Sequence, residues 1–187
     1  MGKVVYYTAT TLDGYLADER DSLEWLFVIA QDSDGFPAFL ESVGAIVQGS
    51  TTYEWVVDHE GLLDAPGKWP EFYGPRPTWV FSSRELPQVP GADVRVVSGS
   101  VAARWNDIAA SAGDRDIWVV GGGDLAGQFM DAGLLDEIRL SVAPVTLAAG
   151  KPLLPRRLES DRLELVSVAK NGQFAELTYA VRRAPTV

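Results

Sequence analysis

The chain has no cysteine, a single histidine and no apolar run long enough to span a bilayer. The first absence excludes disulfides, thiolate nucleophiles and cysteine-ligated metals. The lone histidine, His59, sits in a Gly- and Pro-containing stretch, so a Ser-His-Asp machine would hang on one loop residue. The usual histidine metal sites go with it, and no ligand spacing for an all-carboxylate site is present. No metal is therefore expected. Positive charge is also scarce, with 16 Lys and Arg against 26 Asp and Glu and a net charge of −10. Nucleic acids and anionic membranes are gripped through clustered Lys and Arg, so neither is an expected partner. Met1 to Tyr6 run directly into a strand-like segment rather than a charged and apolar leader, and a cytoplasmic protein is expected.

What is present is a globular composition. Hydrophobic residues make up 47% of 187 residues, enough for one domain over 1–187 with a sizeable core. Strand-like and helix-like segments alternate along the front. Strands are expected at Val4–Thr8, Ala45–Gln48, Thr78–Phe81, Val94–Val97 and Ile117–Val120. Helices are expected from near Asp34 through Phe36, Phe39 and Leu40, from Ser50–Thr52 through Tyr53 and Trp55, and through Trp105 and Ile108. Residues 9–31 and 58–77 read as long connections. The back of the chain changes character. Glu137–Val142 alternates polar and apolar residues, and Leu163–Val168 and Phe174–Val181 flank Asn171-Gly172, a strong hairpin signal. The expected fold is α/β, with a mostly parallel central sheet and antiparallel C-terminal strands.

The most informative segment is Val120-Gly121-Gly122-Gly123-Asp124-Leu125. Glycines between a strand and a helix let a ligand approach the backbone. The first N–H groups of the helix then favour an anion such as phosphate. The same cluster also serves a tight turn with no ligand, because it lacks the full dinucleotide fingerprint. Gly49-Ser50-Thr51-Thr52 and Ser82-Ser83-Arg84 end two further strands in the same style. Singly, Ser50 and Thr51 could be helix caps and Arg84 a solvated charge. Together they place phosphate-binding chemistry at the carboxyl edge of one sheet, where open α/β sheets bind ligands.

These residues, with Thr11-Leu12-Asp13-Gly14-Tyr15-Leu16-Ala17 near the start, resemble the dihydrofolate reductase fold. Gly133–Glu137 and Ala143-Pro144-Val145 resemble the branch that includes the reductase domain of the riboflavin-biosynthesis deaminase/reductase. The resemblance covers nearly the whole chain and implies an NADPH site. Gly121, Gly122 and Gly123 would lie under the pyrophosphate, with Asp124 and Leu125 opening the helix. Gly49, Ser50, Thr51 and Thr52 would add donors, and Ser82, Ser83 and Arg84 would hold the adenosine 2′-phosphate side. Tyr15, Leu16 and Ala17 would line the nicotinamide beside Thr8 and Ala9. Two departures stand out: Ser50 replaces an arginine common in folate reductases, and Leu147-Ala148-Ala149-Gly150 replaces most of a glycine run.

On the substrate side the resemblance implies a carboxylate after a tryptophan. Here Trp25 is followed by Asp32 and Asp34, the candidate catalytic residues; either contacts a heterocycle's N–H edge or simply caps the helix. Phe36, Phe39 and Trp55 either stack on a planar ring or belong to the core. The expected function is an NADPH-dependent reductase of a heterocyclic small molecule, a pterin or a ribosylated pyrimidine. The alternative is a non-catalytic ligand-binding module on the same fold. A homodimer is also expected, built on the C-terminal strands, where Ile138, Leu140 and Val142 and then Ala175, Leu177, Tyr179 and Val181 give apolar faces.

Overall fold

The structure, a computed structural model, describes residues 2–30 and 35–183. It opens with β1 (Val4–Thr11), a short β2 (Tyr15–Ala17), a single turn α1 (Glu24–Phe27) and α2 (Phe36–Ser42). Next come β3 (Val43–Gly49), α3 (Ser50–His59), α4 (Trp69–Tyr73), β4 (Thr78–Phe81) and β5 (Val94–Val97). The helix α5 (Val101–Ala112), β6 (Asp116–Gly121), α6 (Gly123–Asp131) and β7 (Glu137–Ala143) follow. A two-residue β8 (Lys151–Pro152) precedes the hairpin of β9 (Leu163–Asn171) and β10 (Phe174–Val181).

Eight strands form one sheet in the order β5-β4-β3-β6-β1-β7-β10-β9, and β2 pairs with β8 in a separate ribbon. Neighbours from β5 to β7 run parallel, while β10 is antiparallel to both β7 and β9. The sheet follows from period-2 patterning with both faces apolar. Val4, Tyr6, Ala45, Val47, Ile117 and Val119 face a core shared with α5 and α6. Val5, Ile46 and Trp118 face the opposite core, shared with α2, α3 and α4.

The expected fold class is what the structure shows, with local corrections. Residues 9–31 are not one connection, because they hold the end of β1, all of β2 and α1. Residues 58–77 contain the end of α3 and the helix α4, which buries Trp69 and Tyr73. His59 therefore ends a helix, and its ring stacks 4.4 Å from Trp55 and 4.9 Å from Phe27. The C-terminal hairpin turns on Gly172-Gln173, one residue later than the Asn-Gly signal, with Gly172 at φ 58°. The expected helix start at Asp34 lies outside the described residues.

One buried carboxylate ties the N-terminus to this sheet. Glu137 is 4% exposed, and Lys3 Nζ donates to it at 2.7 Å. Arg139 Nε donates to the other carboxylate oxygen. Burial alone would push this carboxyl up, but the bonds from Lys3 and Arg139 outweigh it and hold it below the usual glutamate range. A folded pKa below the unfolded one stabilises above the unfolded pKa and is lost as pH falls through the folded one. The denaturant midpoint should thus stay flat between about pH 6 and 8 and decline below about pH 4. Glu137→Gln should blunt that decline while lowering the midpoint at neutral pH. An equally steep acid loss in the variant would assign the effect to other carboxylates.

Candidate cofactor and substrate cleft

At the carboxyl edge of the sheet, β3 and β6 end side by side, and each passes directly into a helix. Gly49 is the N-cap of α3 and Gly122 the N-cap of α6, both with extended backbone. Neither helix has a side-chain cap hydrogen bond, whereas Ser100 Oγ accepts from Ala103 N–H at the start of α5. Ser50 and Thr51 are therefore not the caps that their residue types suggest; they occupy the first turn. A Cβ on Gly49 would sit 3.7 Å from Gly121 O and from Gly122 N, so the two turns lie against each other. Two sets of first-turn N–H donors thus meet at one place, the arrangement that suits an anion.

The three glycines between β6 and α6 differ in what they require. Gly121 has φ 150°, a region that side chains disfavour, and the Gly121–Gly122 peptide is cis. Gly122 faces free space: a Cβ there meets no atom within 4 Å. Gly123 is packed against backbone, and a Cβ there would overlap the carbonyl oxygens of Pro152 and Leu153.

These turns bound a cleft of about 630 Å³. Its first half is lined by Gly49, Ser50, Thr51 and Thr52 and by Gly121 through Leu125. Thr8 and Ala9 of β1, Leu16 and Ala17 of β2, and Val120 line its middle. The far wall is Leu23, Trp25 and Leu26 with Trp55 and Val56, one turn further along α3. Lys151 and Pro152 of β8 and Asp21 complete it. Asp124 opens α6, and bonds from Gln128 and then Arg156 hold its carboxyl below the usual aspartate range.

Of the residues expected at a cofactor site, Ala9, Leu16, Ala17, Gly49, Ser50, Thr51 and Thr52 line this cleft. So do Gly121, Gly122, Gly123, Asp124 and Leu125. Tyr15, Ser82, Ser83 and Arg84 do not. Tyr15 Oη donates to Ala148 O at 3.4 Å. Ser82 and Arg84 bond to each other across a tight turn just beyond Phe81, which does line the cleft. The Arg84 guanidinium is held by both carboxylate oxygens of Glu54. Asp32 and Asp34 lie outside the described residues. Phe36 and Phe39 are core: with Tyr7 and Trp118 they form an edge-to-face cluster at 5.0–6.2 Å. Trp55 is a cleft residue.

Sequence reasoning missed Asp21, Leu23, Leu26, Val56, Lys151 and Pro152. The α1 turn and β8 are too short for any periodicity to show them. It also left Asp13 without a role. The Asp13 carboxylate accepts from Thr11 Oγ1 at 2.6 Å and from the N–H groups of Leu147 and Ala148. The Thr11 bond, with the backbone bonds behind it, holds this carboxyl below its ordinary value. It fastens the β1–β2 turn to the 145–148 segment. There Ala148 takes φ 63° without being glycine, and Gly150 keeps the close approach, since a Cβ on it would overlap Ala17 O.

A mostly parallel sheet with antiparallel C-terminal strands and this cleft at the β3–β6 edge defines an α/β protein of the dihydrofolate reductase fold. The chain belongs to the RibD C-terminal domain family, whose model matches residues 54–174. A putative riboflavin biosynthesis protein from Shewanella sp. PV-4 is 28% identical, covers 98% of this chain and all of that one, and superposes with a TM-score of 0.78. The diaminohydroxyphosphoribosylaminopyrimidine deaminase/5-amino-6-(5-phosphoribosylamino)uracil reductase of Thermotoga maritima shares the fold at 16% identity and TM-score 0.65, over 97% of this chain and 57% of that one. Dihydrofolate reductase from Enterococcus faecalis, complexed with NADP(H), does so at 16% identity and TM-score 0.61, over 96% of each chain. Among the described residues, no helix is long and apolar enough to cross a membrane.

The glycine geometry separates folding from binding. Gly123→Ala should destabilise the fold by about 1–3 kcal/mol, the usual cost of forcing a methyl into a packed place. Gly122→Ala, facing free space, should cost less than about 1 kcal/mol. Chemical denaturation of the two variants checks this, and equal losses would refute the assigned contacts.

Proposed function

We propose that the protein is an NADPH-dependent reductase that transfers hydride to a planar heterocyclic small molecule. The convergence of the uncapped α3 and α6 N-termini on one cleft carries this reading. That site offers neutral backbone donors for a pyrophosphate, placed where the fold's carboxyl edge binds ligands. The hydroxyls of Ser50, Thr51 and Thr52 stand beside those donors. When bound, NADPH supplies the hydride, and this chain's residues bind, orient and exclude water. Reduction of a C=N bond also consumes one proton, from solvent or a carboxylate, and Asp32 and Asp34 are the candidate carboxylates.

Intrinsic tryptophan fluorescence, with Trp25 and Trp55 in the cleft wall, reads the binding. NADPH should quench it saturably, and Gly122→Asp should abolish the response while the variant stays folded. Normal NADPH binding by that variant would overturn the site. Binding without reduction of any pterin or pyrimidine would favour a non-catalytic ligand-binding module. Arg84 is proposed to reach the 2′-phosphate by exchanging Glu54 for it. On that basis Arg84→Ala should weaken NADPH about tenfold to hundredfold and leave NADH unchanged. Equal small losses for both cofactors would reduce Arg84 to a partner of Glu54.

We further propose that two copies pair through the sheet edge. The apolar residues of β7 and β10 are used within the chain, since Ile138 and Leu140 are buried and Leu177, Tyr179 and Val181 pack on the same core. Among the C-terminal strands, the exposed large apolar residues lie on the edge strand β9, where Leu165, Val166 and Val168 are 53%, 59% and 63% exposed. A nine-residue edge strand with three exposed large apolar residues is a template for pairing with another strand, and a second copy offers the same edge. Light scattering should give about twice 20.3 kDa, and Val166→Lys should return it to the monomer mass. A monomer mass for the unaltered chain at micromolar concentration would refute the pairing.

A further inference from the structure

The substrate half of the cleft holds almost no positive charge. Its wall of Leu23, Trp25, Leu26, Trp55 and Val56 is aromatic and aliphatic. Lys151 is the one Lys or Arg among the described lining residues, and its Nζ lies 3.4 Å from Asp21 Oδ1 in the same cleft. The chain that builds this half repeats the pattern. Between Thr8 and Lys68 there are 12 Asp and Glu and one arginine, Arg20. Arg20 is exposed on the turn formed by residues 18–22, where its backbone N–H donates to Asp18, and it does not line the cleft.

Backbone donors do not fill this gap. The α3 and α6 N-termini both serve the opposite half of the cleft. The α1 turn has four residues and carries Glu24 in its first position. Among the described residues, a phosphate entering here would exchange water for apolar walls and the Asp21–Lys151 pair, with no guanidinium fork to receive it. A flat, uncharged ring loses little on the same exchange and gains apolar contact with the walls.

We infer that the substrate is a neutral, unphosphorylated planar heterocycle, so that the chain departs from the phosphoribosyl specificity in the name of the Thermotoga maritima reductase. The inference rests on the reading of the other half as the cofactor site. Its test therefore begins on protein already shown to be saturated with NADP(H), and failure to load would count against that reading alone.

On the loaded protein, calorimetry compares ribosylaminouracil with its 5-phosphate, and adds dihydropterin and ribose 5-phosphate as single probes. The phosphate should give no gain: the phosphorylated compound binds as weakly as its counterpart or more weakly, and ribose 5-phosphate shows no heat at millimolar concentration. A preference of about tenfold or more for the phosphorylated member, the size of one charge-assisted contact, would overturn the inference, as would measurable ribose 5-phosphate binding. Leu26→Lys adds to this wall a second cation beside the Asp21-paired Lys151. It should raise affinity for the phosphorylated compound about tenfold over the unaltered protein. No rise would show that charge in this wall does not set the specificity and would also overturn the inference.

Discussion

Where Gly123 meets the carbonyls of Pro152 and Leu153, α6 and the β8 segment touch backbone to backbone, and the cleft depends on that approach. Tyr6 reinforces it from below: its hydroxyl donates to Leu153 O at 2.8 Å. Burial drives that hydroxyl far above its ordinary pKa, so it remains a protonated donor at every physiological pH. Leu153 N–H in turn donates to Gly14 O at 2.9 Å, and Gly150 packs on the Ala17 carbonyl. Two segments far apart in sequence, residues 14–17 and 150–153, are thus clamped over the start of α6. A side chain at Gly123 or Gly150 would lift this clamp and change the width of the cleft. The glycines are needed for packing, and the donor-lined turn is a consequence of the packing.

Charge is distributed to match. A chain of net charge −10 cannot hold an anion by its general field, which repels one. Neutral N–H groups at helix ends attract an anion without adding a cation to be neutralised when the site is empty. The arginines closest to this edge are already engaged, Arg156 with Asp124 and Asp131 and Arg84 with Glu54. These pairs are at least partly exposed and contribute little stability. They do neutralise positive charge at the rim of the cleft as long as they stay paired, so the neutral backbone donors are the part of this edge that needs no ion pair broken to face an anion.

Legibility in the sequence followed element length and chemistry. Thr78–Phe81 and Phe174–Val181 were readable to the residue, because flanking turn residues bound a clear strand pattern. The strand–Gly–helix unit at 117–125 was readable for the same reason. Helix α4 was hidden because Gly61, Pro66, Gly67 and Pro70 look like loop composition, although Trp69 and Tyr73 are buried there and fill one core. The roles of Phe36 and Trp55 could not be separated beforehand. Both are aromatic residues on helices, and it is the packing of Phe36 on Tyr7, Phe39 and Trp118, against the cleft position of Trp55, that distinguishes core from cleft. Lys151 is one of four lysines, and nothing local marks it; its place comes from pairing across 134 residues with β2.

The two halves of the cleft therefore have different origins. The half at the glycine turns is made by strand ends of a parallel sheet, and its geometry is set by strand order and by backbone contacts that no side chain can replace. The facing wall is made by side chains on α1, on the half-buried flank of α3 and on residues 151–152. Leu23, Leu26 and Trp55 could change size or charge with β3, β6 and their glycine turns left intact, whereas Val56 also packs on the core that holds Val5, Ile46 and Trp118. A fold organised this way can keep one anion-binding edge while the opposite wall takes different rings, which is how fold and substrate separate.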